Sequence, residues 1–109
     1  MIKLIPDPTF ECPVRMTVPG KPDPVEVPMT FRHMTAEQES AWFAESKDYP
    51  VAEAMAGILR DWRGVMGEDG STLPYTPENL VVLLKNYRPS AQEIVRAWQL
   101  GLTESRVKN

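Results

Sequence analysis

The chain has 109 residues, 42% apolar and 25% charged, with a formal net charge of −3. That length supports one domain and leaves no room for two independent cores. The negative balance argues against general affinity for nucleic acid or an anionic membrane, and a lone cysteine, Cys12, excludes a disulfide framework. No apolar run reaches the 18 or so residues of a membrane span, and the apolar start breaks at Pro6 before a secretory segment forms.

Seven of the eleven prolines fall within the first 28 residues, a spacing that no helix survives. Val14, Met16 and Val18 alternate with Arg15 and Thr17. Val25, Val27, Met29, Phe31 and His33 alternate with Glu26, Pro28, Thr30 and Arg32. Two arms of period two around Pro19-Gly20-Lys21-Pro22-Asp23-Pro24 predict a hairpin with a wide, stiff loop. Pro28 lacks a donor, so its side of the second arm is expected to be a free edge or a bulge.

Helical grammar begins at Thr35. Thr35 with Gln38 forms a capping box for a helix over about 36–47. Pro50 suits the first turn of a second helix, in which Val51, Ala54, Met55, Ile58, Leu59 and Trp62 follow the i, i+3, i+4 rule until Gly64, Gly67 and Gly70 end it. Thr76-Pro77-Glu78 starts a third helix with a Leu80, Leu83, Leu84 and Tyr87 stripe. Ser90 with Glu93 is a further capping box, and Ile94, Ala97, Trp98, Gly101 and Leu102 line a fourth helix to about 105. The expected fold is α+β: a single domain over 1–109, with a Pro-rich β-hairpin over about 10–34 and about four helices in a small bundle over about 35–106.

The sequence offers little for catalysis. His33 and Cys12 lie on opposite arms of the expected hairpin, and both read as structural residues. Two nitrogen or sulfur ligands do not make a zinc site. Glu68-Asp69 sits between glycines in a turn; a calcium loop begun at Asp61 places Arg63 and Val65 where oxygen ligands belong. Gly64, Gly67 and Gly70 lack the lysine of a phosphate loop. The expectation is no enzyme, no metal and no cofactor.

Charge is uneven. Residues 35–84 carry nine acids against Lys47, Arg60 and Arg63, whereas residues 85–109 carry five basic groups against Glu93 and Glu104. The basic C-terminal helix keeps a small DNA-binding regulator as the alternative function, although about a dozen residues from Gly64 to Thr76 are too many for a helix-turn-helix connection. Apolar belts are also wide. Trp42 and Phe43 point about 100° apart on one helix, Val81 and Val82 broaden the third, and Leu100 lies off the fourth helix's stripe. A chain this small cannot surround every helix, so Trp42, Phe43, Tyr75, Val82 and Leu100 are the candidate partner-binding residues.

The order of landmarks resembles a family of phage tail assembly chaperones. It is carried by Phe31-Arg32-His33-Met34-Thr35, Ala41-Trp42-Phe43, Ile58-Leu59, Asp61-Trp62, Gly64-Val65, Glu68-Asp69-Gly70, Leu73-Pro74-Tyr75-Thr76, Glu78-Asn79-Leu80, Ile94, Ala97-Trp98 and Arg106-Val107-Lys108-Asn109. The resemblance implies a non-enzymatic protein of the bacterial host cytoplasm, in an infected cell or a lysogen. It would bind the tape measure protein and keep it soluble while tail tube subunits polymerise, and be absent from the mature virion. The tail tube protein is a second expected partner, a homo-oligomer a further expectation, and neither nucleic acid nor membrane is expected. Some relatives are made in two lengths by ribosomal frameshifting. No catalytic residues carry over.

Overall fold

Strands Thr9–Met16 (β1) and Val25–Arg32 (β2) pair antiparallel, with Cys12 opposite Met29 and Pro13 opposite Pro28. The computed structural model describes residues 1–104. Helix Ala36–Ser46 (α1) and the short helix Val51–Ala56 (α2) follow, then a third strand, Leu59–Trp62 (β3), and helices Pro77–Asn86 (α3) and Ser90–Thr103 (α4). The protein is α+β, but the expected hairpin is a three-stranded antiparallel sheet in the order β1-β2-β3.

The correction concerns the second predicted helix, which stops at Ala56. Leu59 to Trp62 instead pair with β2: Trp62 opposes Met29, Asp61 opposes Thr30 and Leu59 opposes Phe31. Arg60 is thus the extra residue of a bulge between Thr30 and Phe31. The bulge puts Leu59 and Trp62 on the same face although they are three apart, and both are buried. A strand with one extra residue therefore reproduces the i, i+3 spacing of a helix.

Pro28 sits on the central strand, not on a free edge, and the bulge lies two residues further on. Its carbonyl accepts from Arg63 N at 3.0 Å, so its nitrogen also faces β3, beyond that strand's last residue. Only the reciprocal bond to Arg63 is missing, one residue past the end of that strand. By the same alternation, the opposing Pro13 turns its missing donor outward, to the outer edge of β1.

One face of the sheet is apolar. Cys12, Val14, Met16, Met29, Phe31, Leu59 and Trp62 join Met55, Ile58, Leu80, Ile94, Ala97 and Trp98 in one core. The opposite face carries Glu11, Arg15, Glu26, Arg32 and Arg63. There the Arg63 guanidinium donates to both Glu11 oxygens, at 2.6 and 3.2 Å, which raises its pKa through that bond first and the carboxylate's charge second.

Helix α4 lies along β1, and Gly101 permits the approach. A Cβ there would come within 2.5 Å of Phe10 Cε2. The Trp98 indole donates to the Arg32 carbonyl at 2.9 Å, fixing the helix to the end of β2. The Cys12 thiol donates to the Ala97 carbonyl at 3.5 Å.

Helix starts follow the sequence at two of three predicted caps. Thr35 and Gln38 form both bonds of the capping box, and Thr76 Oγ1 accepts from Asn79 N at 3.1 Å. The Ser90–Glu93 box does not form. Pro89 takes the cap position, with φ −85° and ψ 4°, so Ser90 is already inside the helix. Glu93 instead accepts from Thr17, from its N at 3.0 Å and from its Oγ1 at 2.6 Å, and ties the end of β1 to α4. Ser90 Oγ is buried with no hydrogen-bond partner among the described residues. Ser90→Ala removes an unsatisfied hydroxyl, so stability is expected to rise by up to about 1 kcal/mol. Urea denaturation of both proteins measures the difference.

Candidate functional site

α1 closes at Lys47 and Pro50 is the N-cap of α2, and the turn between them leaves α1, α2 and α4 around a shared groove. It is about 410 Å³ in volume and is lined by Trp42, Phe43, Tyr49, Val51, Met55 and Val95, with Ser46, Gln92, Arg96 and Gln99 among its polar residues. Two of its lining residues, Trp42 and Phe43, pack on the buried Trp98. The Trp42 ring meets Trp98 edge-on at 5.2 Å and Phe43 at 4.9 Å, and Phe43 lies 6.3 Å from Trp98. Trp42 is held in place by its indole N–H, which donates to the Ala54 carbonyl at 3.0 Å. It also lies against Gly57, where a Cβ would stand only 3.0 Å from Trp42 Nε1.

The predicted pair therefore divides its roles. Trp42 turns inward onto Trp98, whereas Phe43 remains exposed in the groove beside Tyr49 (56% exposed) and Val51 (55%). Tyr49 and Val51 were not among the residues predicted to bind a partner. Val51 belonged to the stripe of an expected three-turn helix, and that helix is too short to cover it. The dipeptide Tyr49-Pro50, a large aromatic immediately before a helix-starting proline, was the available signal.

Val82 lies elsewhere. It lines a second groove, about 820 Å³, at the loop end of the hairpin with Met16, Val25, Val65, Met66 and Leu83. Val25, Met66 and Val82 are exposed there. Leu100 is half-buried and lines neither groove.

Tyr75 is fixed to the sheet. Its hydroxyl donates to the Leu59 carbonyl at 3.0 Å and its ring packs edge-on against Trp62 at 5.1 Å. The Trp62 indole donates to the Leu73 carbonyl at 2.9 Å, so residues 73–75 cover the outer edge of β3. Burial is the main cause that pushes the Tyr75 phenol above its ordinary pKa. The folded state then keeps the proton where the unfolded chain releases it. Stability is complete below about pH 10 and falls as pH climbs through the raised value. Tyr75→Phe is expected to cost about 1 kcal/mol at neutral pH and to remove this alkaline component. Denaturant titrations at neutral and alkaline pH measure both effects.

The remaining candidate chemistry is dispersed. Cys12 is buried beneath α4. His33 lies beyond the end of β2, four residues from Cys12's partner Met29, or roughly 13 Å along the strand. Asp69 accepts from Ser71 N at 3.0 Å and from Ser71 Oγ at 2.7 Å; these bonds lower its pKa and hold a turn. Among the described residues no group of three or more His, Cys, Asp or Glu could hold a metal ion. Nor is any described helix long and apolar enough to cross a membrane. Residues Arg106 to Asn109, part of the basic segment and of the resemblance, lie outside the described residues.

No curated protein and no solved structure matches the chain. Residues 28–99, from the middle of β2 to near the end of α4, match the family described as YdaY prophage protein. That stretch is about two-thirds of the sequence and includes every residue that lines the α1–α2–α4 groove. The chain belongs to the YdaY prophage protein family.

Proposed function

We propose that this prophage protein is a tail assembly chaperone. It binds the tape measure protein through the α1–α2–α4 groove and keeps it soluble during tail tube assembly. One observation carries the reading: Phe43, Tyr49 and Val51 stay exposed in a groove that Trp42 also lines, with Trp98 buried behind Trp42 and polar residues in the lining. Such a surface suits an amphipathic helix, which lays apolar side chains spaced i, i+3, i+4 and i+7 into a hydrophobic groove. A tape measure protein is a long helical client, and many copies of the chaperone along it bind by avidity without strong single contacts. Membership of a prophage family and the ordered landmarks of the sequence support the same reading.

Co-expression with a phage tape measure protein tests it. The soluble fraction of the client is expected to rise several-fold. An equally insoluble client, with and without the chain, refutes the proposal. Duplex DNA mixed with the protein at low and high salt is expected to give no salt-sensitive complex; such a complex would favour the regulator reading.

A further inference from the structure

The segment before β1 is an apolar arm. Met1, Ile2, Leu4 and Ile5 are each at least 76% exposed, although they are the largest group of apolar side chains outside the core. Among the described residues the arm is tied to the fold at its base, where the Pro8 carbonyl accepts from His33 N at 2.9 Å. Pro6 and Pro8 keep the residues before them extended.

The groove at the hairpin's loop end has the matching character. Val25, Met66 and Val82 are exposed around it, and Lys21 and Glu68 lie in its lining. The arm carries one charge of each sign as well, Lys3 and Asp7, which pair with each other in the lone chain. The α1–α2–α4 groove has Arg96 in its lining but no acid. Charge complementarity therefore favours the hairpin groove.

In the lone chain the arm's apolar side chains are exposed and none lines this groove, and reach keeps Leu4 and Ile5 from its Val25 end. Val25 stands opposite Met16 at the far end of β1, eight residues and about 26 Å from Pro8. Leu4 and Ile5 lie within about 14 Å of Pro8 even when the chain is fully extended. The arm cannot place them against Val25 of its own molecule. Pairing of strands between copies is also poorly served. Pro13 interrupts the donors along the outer edge of β1. On β3, Tyr75 covers the outward carbonyl of Leu59, and the Asp61 carboxylate accepts from Trp62 N at 2.9 Å.

We infer that the arm of one copy docks in the hairpin-end groove of a second copy, joining molecules head to tail. Four apolar side chains and a matching groove wall together bury on the order of 1,200 Å², the lower end of specific interfaces. Because the two docking surfaces differ, a joined pair keeps one arm and one groove free, and the contact repeats into a ring or a filament. The inference is independent of the chaperone reading, since it uses a different groove.

Sedimentation velocity of the full chain, from low micromolar to near-millimolar concentration, tests it. The wild type is expected to grow beyond a dimer. An arm variant, Ile2→Asp with Leu4→Asp, and a groove variant, Met66→Asp with Val82→Asp, are each expected to associate at least tenfold more weakly. All four substituted positions are exposed, and far-UV circular dichroism checks that each variant is folded; Met66→Asp alone replaces the double groove variant should that one unfold. Mixing the two variants supplies one intact arm and one intact groove, so a one-to-one complex that grows no further is expected. A wild type that stays monomeric, an arm variant that associates as the wild type does, or a mixture that stays monomeric overturns the inference.

Discussion

Trp98→Ala is expected to lower the stability of the fold by about 3–5 kcal/mol, the range for removing a fully buried tryptophan. Trp98 is completely inaccessible; its ring supports Trp42 and Phe43, and its indole N–H satisfies the Arg32 carbonyl. The substitution thus opens a cavity, removes the ring that supports Trp42 and Phe43 from behind and leaves a carbonyl at the end of β2 without its donor. For a chain of this size the thermal midpoint falls by about 15 °C or more. Trp98→Phe keeps one six-membered ring but gives up the pyrrole ring and its N–H bond, so its loss is expected to be about half as large. Thermal and urea denaturation followed by circular dichroism measure both. A loss below about 1 kcal/mol for Trp98→Ala would contradict the role given to this residue.

Phe43→Asp combined with Tyr49→Asp is expected to reduce client solubilisation to the level without any chaperone. Both side chains are exposed, so the fold changes by no more than about 1 kcal/mol. In a complex both would be desolvated against an apolar helix, where anchoring aromatics contribute about 2 kcal/mol or more each. Two such losses weaken binding by about 100-fold or more. Phe43→Leu, which keeps the apolar contact, is expected to retain most of the activity. Soluble client yield in co-expression, beside the thermal midpoint of each purified variant, separates lost binding from lost folding.

Local chemistry made much of the fold legible. The Thr35–Gln38 box, Thr76 before Pro77, and the alternation from Val25 to Phe31 each determine their own surroundings, and the structure keeps all three. Features that depend on tertiary pairing were misread. The bulge at Arg60 gave β3 the apolar spacing of a helix, and only its partner strand reveals the extra residue. Pro28 pointed to an edge because the position of β3, ending just before the point where a donor is missed, cannot be read from Pro28 itself. Glu93 fitted a local cap three residues after Ser90, yet Thr17, 76 residues away in sequence, provides its donors.

The candidate site was partly legible for the same reason. Adjacent Trp42 and Phe43 on one helix require one of them to leave the core, and it is Phe43 that does. Tyr49, Val51 and Val95 join it only because Pro50 turns the chain and α4 returns to the same place. Tyr75 looked available from the sequence, but the outward carbonyl of Leu59 gave its hydroxyl a partner within the fold. A groove is a property of three elements at once, and no single helix pattern encodes it.

The most direct measurement is hydrogen exchange of the intact chain, alone and saturated with a soluble segment of the tape measure protein. Amides of α1, the Tyr49–Val51 turn and the first three turns of α4 are expected to slow, while the polar outer face of the sheet exchanges as before. Unchanged rates in those three segments, or slowing confined to the outer face, would contradict the claim that this groove shelters the client.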